Sequence, residues 1–149
     1  MSDAGTVVAK TDRRVLDSHA VLALLEDEPG ADRVAHTLDH GEPWMTLINL
    51  GEVAYIIERE RGAIAADTVW ENFLAHERPA GRPIQYLALD RDLVRRAATL
   101  KARGGISYAD CFVAAAAQRL HCPVLTGDPE FQVAEKAGIE VDWIGSGTK

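Results

Sequence analysis

A three-layer α/β/α sandwich built on a mainly parallel sheet is the fold class predicted for this 149-residue chain, and three observations predict it. Short β-like runs recur along the chain, and helical patterns of ten or more residues fill the spaces between them. The composition, 47% hydrophobic and 26% charged, is that of a packed globular protein. Strands alternating with helices at this spacing imply βαβ crossovers, hence a mainly parallel sheet with helices on both faces. The length suits one domain, expected over residues 14–144, with aperiodic tails at 1–13 and 145–149.

Taken in chain order, Arg14-Val15-Leu16 is the first expected strand and Trp44-Met45-Thr46-Leu47 the second. From Asn49 onward, Leu50, Val53, Ala54 and Ile57 follow the i, i+3, i+4, i+7 spacing of one helix face. Residues 62–83 carry a further helical pattern in Val69, Trp70, Phe73 and Leu74, with a stop expected at Arg78-Pro79-Ala80-Gly81. Ile84-Gln85-Tyr86-Leu87 reads as a strand. The next helix has Leu93, Ala97 and Leu100 on its apolar side. Ser107 to Leu120 is apolar almost all round, which predicts a helix buried against the sheet. Pro123-Val124-Leu125-Thr126 and Glu140-Val141-Asp142-Trp143 are the last strands.

The chain carries 23 acidic and 16 basic residues, a net charge of −7. Nucleic-acid binding through the protein's own cations usually needs a basic protein, so a phosphate ligand here must be met by a local basic patch, by metal ions or by a partner. Cys111 and Cys122 are too few for a disulfide scaffold and too far apart for a CxxC site; both are expected to be reduced structural thiols. The longest apolar run, Cys111 to Ala117, is far short of the ~20 residues that cross a bilayer. A cytoplasmic protein without membrane contact is expected.

Nearly every expected strand hands over to its helix through an acidic residue: Asp17, Glu52, Asp110 and Asp128. Each has a local explanation as a cap. Asp17 and Asp128 (before Pro129) suit N-cap positions, while Asn49 to Glu52 and Ser107 to Asp110 have capping-box spacing. In a parallel sheet, however, all strand-to-helix turns share the carboxyl edge, where ligands bind. Four carboxylates on one rim repel and raise one another's pKa unless a cation lies among them. Oxygen donors without Cys or His favour Mg²⁺ or Mn²⁺ over zinc, and such a centre takes phosphate.

The runs Val15-Leu16-Asp17-Ser18, Asn49-Leu50-Gly51-Glu52, Ser107-Tyr108-Ala109-Asp110-Cys111 and Leu125-Thr126-Gly127-Asp128-Pro129-Glu130-Phe131 together resemble the ordered acidic motifs of PIN-domain ribonucleases, most nearly the VapC-type toxins of toxin–antitoxin pairs. The resemblance extends over roughly Arg14 to Ile144. It implies that Asp17, Glu52, Asp110 and Asp128 hold the Mg²⁺ or Mn²⁺ of an endoribonuclease, with Ser18 and Thr126 as auxiliary neighbours. It further implies an RNA substrate and a small antitoxin protein that neutralises the enzyme. His19 departs from the smaller residues usual at its position; a surface histidine and an auxiliary contact both stay open.

Arg91, Arg95, Arg96, Lys101 and Arg103 gather on one helix, either as an RNA-facing patch or as a solvated amphipathic face. His36 and His40 have i, i+4 spacing but no third ligand nearby, and are expected to be exposed helix residues. Trp44, Trp70 and Trp143 neighbour no basic cluster and are assigned to packing. Apolar surface around Tyr55, Ile56, Trp70 and Phe73 predicts a homodimer. Phosphate-loop, dinucleotide, serine-hydrolase and zinc-protease motifs are absent. The remaining alternatives are a non-catalytic α/β module whose acidic rim binds a basic partner, and a PIN-like nuclease that processes RNA rather than acting as a toxin.

Overall fold

A computed structural model describes residues 12–77 and 81–145. Its five strands, β1 (Arg13–Leu16), β2 (Glu42–Met45), β3 (Gln85–Tyr86), β4 (Val124–Thr126) and β5 (Val141–Trp143), are all parallel and lie in the order β3-β2-β1-β4-β5. Between them run α1 (Ser18–Leu25), α2 (Ala31–His40), α3 (Leu47–Arg61), α4 (Ala63–Leu74), α5 (Arg91–Arg103), α6 (Tyr108–Leu120) and α7 (Gln132–Lys136), with a 3₁₀ turn at Pro129–Phe131 before α7. The expected tails, apart from Asp12, Arg13 and Gly145, lie outside the described residues, as do Arg78, Pro79 and Ala80 of the expected helix stop.

The three layers follow from the period of two along the central strands. Val15 and Val124 point into one core with Leu93, Ala97 and Leu100 of α5 and the buried face of α6. Their neighbours Leu16 and Leu125 point into the other core, with Val21 of α1, Val34 and Leu38 of α2, and Leu50, Val53 and Ile57 of α3. All four strand residues are fully buried, as central parallel strands must be when helices cover both faces. The α6 segment Cys111 to Ala117 is buried throughout, with both cysteines free, as its all-round apolar pattern predicts.

The second strand and the helix after it differ from their expected bounds. β2 ends at Met45 and α3 begins at Leu47, because Thr46 leaves the ladder to become the helix N-cap, its hydroxyl accepting the Asn49 N–H at 3.3 Å. A β-branched residue next to two apolar ones reads as strand, but its oxygen is worth more on an otherwise unpaired helix donor. The Asn49-to-Glu52 capping box is therefore not the start of this helix. α4 ends at Leu74, with Ala75 already extended, and β3 shrinks to an edge strand of two residues.

From β1 the chain winds one way to β2 and β3, then returns past β1 to β4 and β5. The reversal places a switch point between β1 and β4, whose carboxyl ends are direct neighbours through the Leu16–Leu125 pairing. The helix hairpin of α5 and α6 brings the start of α6 to the same edge.

Candidate functional site

Each acidic residue reaches this edge by a local rule. Asp17 ends β1 and caps α1, its Oδ1 accepting the Ala20 N–H at 2.8 Å. Asp128 ends the β4 turn and caps the 3₁₀ turn, its Oδ1 accepting the Glu130 N–H at 2.9 Å with Pro129 first in the turn. Asp110 is the third residue of α6, behind the N-cap Ser107, whose Oγ accepts the Asp110 N–H at 3.2 Å. The N-cap readings of Asp17, Ser107 and Asp128 are thus correct, but the Ser107–Asp110 capping box is only half made, because the Ser107 N–H donates to Glu130 and not to Asp110. They do not compete with function, because a capping carboxylate keeps lone pairs free for a second partner.

The tertiary structure gathers the three. One carboxylate oxygen from each of Asp17, Asp110 and Asp128 lies within 4.8 Å of the others. Glu52, partly exposed in the second turn of α3, stands outside this trio, and its Oε1 accepts from Asn49 Nδ2 at 3.3 Å. Thr126, fully buried, joins two of the trio: its hydroxyl donates to Asp17 Oδ2 at 2.5 Å and accepts the Asp128 N–H at 2.9 Å. Ser18 is the first residue of α1, half-buried beside Asp17.

Asp17 is fully buried, and burial is the main force that pushes its carboxyl up to about 7; the hydrogen bonds from Thr126 and Ala20 pull it down, while Asp128 and Glu52 push it further up. Asp110, 6% exposed, is pushed up to about 8 by burial and then by the charges of Asp17 and Asp128. Among the described residues, none of the four carboxylates makes an ion pair with a Lys, Arg or His. The fold thus supplies hydrogen-bond donors and no counter-charge, which is the condition a divalent cation relieves. Hard oxygens converging without sulfur or imidazole fit Mg²⁺ or Mn²⁺.

Three further residues shape the site with no signal in the spacing that points to them. Asn49 is fully buried behind Glu52. Glu130 accepts the Ser107 N–H at 2.9 Å, tying the 3₁₀ turn after Asp128 to the start of α6 before Asp110. Gly127 leaves room for His19, since a Cβ there would lie 2.8 Å from His19 Cε1. His19 is exposed and lies against this turn.

The other candidates are held in local contacts of their own. On α5, Arg96 pairs with Asp92 at 2.8 Å, Arg95 donates to Thr99 at 3.1 Å, and Lys101 Nζ donates to the Ile106 carbonyl at 3.0 Å. His36 and His40 are exposed, their ring centroids 4.8 Å apart. The indole nitrogens of Trp44 and Trp143 donate to Glu42 and Glu135. Within the described residues no helix is long and apolar enough to cross a membrane.

Comparison with known proteins agrees with this geometry. The family model of the PIN domain matches residues 14–137. Solved structures of similar fold include a DNA-bound VapBC from Salmonella typhimurium, at 20% identity and a TM-score of 0.66, over 87% of this chain and 96% of that one. VapC20 of Mycobacterium tuberculosis, described as a sarcin–ricin-loop-cleaving toxin, gives 18% identity and a TM-score of 0.67 over 80% and 93%. VapBC-1 of nontypeable Haemophilus influenzae gives 19% and 0.64 over 88% and 97%. No curated protein sequence matches the chain.

Proposed function

The chain belongs to the PIN-domain family, and from that premise we propose that it is a metal-dependent endoribonuclease of the VapC type, the toxin of a toxin–antitoxin pair. The observation that carries this reading is the trio of Asp17, Asp110 and Asp128, three mutually close carboxylates with no cationic partner among the described residues, at the switch point of a parallel sheet. Similarity of fold to two VapBC structures, and to a VapC toxin described as cleaving the sarcin–ricin loop, supports the class.

Asp17, Asp110 and Asp128 would hold Mg²⁺ or Mn²⁺, with Glu52 completing the shell. When bound, such a cation polarises a phosphodiester and lowers the pKa of a coordinated water. The chain's own residues set the conditions for that chemistry. Thr126 holds Asp17 in one rotamer and aligns the Asp128 backbone. Burial keeps Asp17 and Asp110 out of bulk water, so their charges act in a low dielectric. Glu52, more exposed than Asp17 and outside the trio, would complete the shell through a water that it orients and whose proton it can take. No side-chain nucleophile is required.

The same anionic rim attracts an Arg or Lys side chain, and an antitoxin tail carrying one would neutralise the enzyme by competing for the metal site. The homodimer is proposed from apolar surface on α3 and α4, where Tyr55 is 53% and Ile64 84% exposed; light scattering that finds a monomer at micromolar concentration would refute it. For the activity, purified protein is incubated with RNA and Mn²⁺. Cleavage that stops with EDTA, returns with excess Mg²⁺ or Mn²⁺, and is lost in Asp110→Asn is the expected result. Undiminished cleavage in EDTA would overturn the metal reading, and no cleavage of any RNA would favour a non-catalytic module.

A further inference from the structure

Resting on the metal-centre reading above, we propose that Asn49 is a positioning residue for that centre, whose side-chain amide sets the rotamer of Glu52. Asn49 is fully buried on the face of α3 that meets α6, and every polar atom of its side chain is engaged. Oδ1 accepts from the Thr46 hydroxyl. Nδ2 donates both to Glu52 Oε1 at 3.3 Å and to the Ala109 carbonyl at 3.1 Å, the latter 60 residues along the chain in the first turn of α6. Thr46 and Ala109 are the anchors, and Glu52 is what the amide holds.

The arrangement has one orientation. Turned over, the amide would set its oxygen against a carboxylate and a carbonyl, two acceptors with nothing to donate. The Thr46 hydroxyl selects the correct face, because it already accepts the Asn49 backbone N–H and has one proton left to give. Asn is the residue that fits: Asp would present acceptors to Glu52 and Ala109, and an aliphatic side chain would offer neither hydrogen bond. The three-residue step from 49 to 52 puts donor and carboxylate on one helix face. Without the amide, Glu52 is a long side chain on a half-exposed surface, free among its rotamers. Groups that orient a metal's ligands typically carry ~10- to 100-fold in affinity.

The test is a double-mutant cycle read by Mn²⁺ titration calorimetry on wild type, Asn49→Ala, Glu52→Gln and the double variant. Asn49→Ala is expected to weaken Mn²⁺ by at least ~10-fold in the wild-type background and by less than about threefold when Glu52 is already Gln. Equal losses in both backgrounds would mean that Asn49 acts only by docking α6, and would overturn the proposal, as would an Asn49→Ala variant that binds like wild type. Should Asn49→Ala fail to fold, Thr46→Val takes its place in the same cycle: it removes the hydroxyl that orients the amide and otherwise loses only a cap. Wild-type protein that takes up no Mn²⁺ would instead overturn the metal centre itself, an outcome distinct from a wild type that binds and a cycle that is additive.

Discussion

The sheet keeps its buried carboxylates in two opposite ways. At the starts of β1 and β2, Glu42 is 8% exposed, yet its carboxylate meets Arg13 Nε at 2.8 Å, the Trp44 indole at 2.8 Å and Arg82 at 3.6 Å. Burial pushes it up, but the hydrogen bonds from Trp44 and Arg13 outweigh burial and hold it below the usual range. Asp142 of β5, half-buried between Arg14 at 2.9 Å and Arg33 at 2.6 Å, is likewise held low against burial. At the carboxyl edge, Asp17 and Asp110 are more deeply buried and pair with no arginine among the described residues, and both are pushed up. Burial alone therefore does not decide a carboxylate's state; the hydrogen-bond donors and the counter-charge set against it do. Arginines stand beside Glu42 and Asp142, whereas among the described residues none pairs with the switch-point trio, and an unpaired buried cluster is destabilising unless something else binds there.

The contrast is broken most severely at the trio. Asp17→Asn and Asp110→Asn keep the shape, and at position 17 the helix cap, but remove a ligand charge. RNA cleavage is expected to fall by two or more orders of magnitude, with circular dichroism unchanged. Full activity in both variants would end the assignment.

A second experiment uses pH. Asp17 and Asp110 have folded-state pKa values raised to about 7 and about 8, above their unfolded value, so their contribution to stability is full below the unfolded pKa and is lost as pH rises toward 7 and 8. In EDTA, the melting temperature should therefore drop between pH 5 and pH 8, and saturating Mn²⁺ should remove much of that drop. Metal at one hundred times its Kd adds ~2.7 kcal/mol. Glu42 and Asp142, held low, act in the reverse sense: their contribution is present at neutral pH and is lost as the solution is acidified through their folded pKa values. A metal-free melting temperature that rises steadily from pH 5 to pH 8 would contradict the raised values.

Neutral substitutions sharpen the same comparison with opposite signs. At pH 8 without metal, Asp110→Asn should raise stability by ~1–2 kcal/mol, because it removes an unpaired buried charge, whereas Glu42→Gln should lower it by ~1–3 kcal/mol by disrupting a paired one. Urea midpoints moving in the same direction would show that the two regions are not electrostatically different. The smallest effect is expected for Arg33→Ala, since Arg33 is half exposed and Arg14 still faces Asp142: about 0.5 kcal/mol, fading in high salt.

Much of this architecture was legible before any coordinates. The alternation of Val15 with Leu16 and of Val124 with Leu125 carries the two-sided burial of central strands, and the all-round apolar α6 carries its own position in the core. Asp17, Ser107 and Asp128 announce helix or turn starts because a capping oxygen and the N–H it serves lie two or three residues apart. Thr46 was misread for a complementary reason. Its β-branched side chain continues an apolar run, and nothing within that run shows that the strand ends before it.

By itself, then, the sequence determined the element types, the parallel class and the acidic residues that belong to one edge, because each depends on periods and capping distances of a few residues. Only the tertiary structure decided which of those carboxylates meet. The order β3-β2-β1-β4-β5 sets β4 beside β1, so that Thr126 bonds Asp17 across 109 residues and Asn49 bonds Ala109 across 60. It also left Glu52 outside the close trio and supplied arginines to Glu42 and Asp142 but, among the described residues, none to Asp17. Those outcomes rest on long-range packing, in which strand order and helix docking place charges side by side, and no local pattern in the chain encodes that distance.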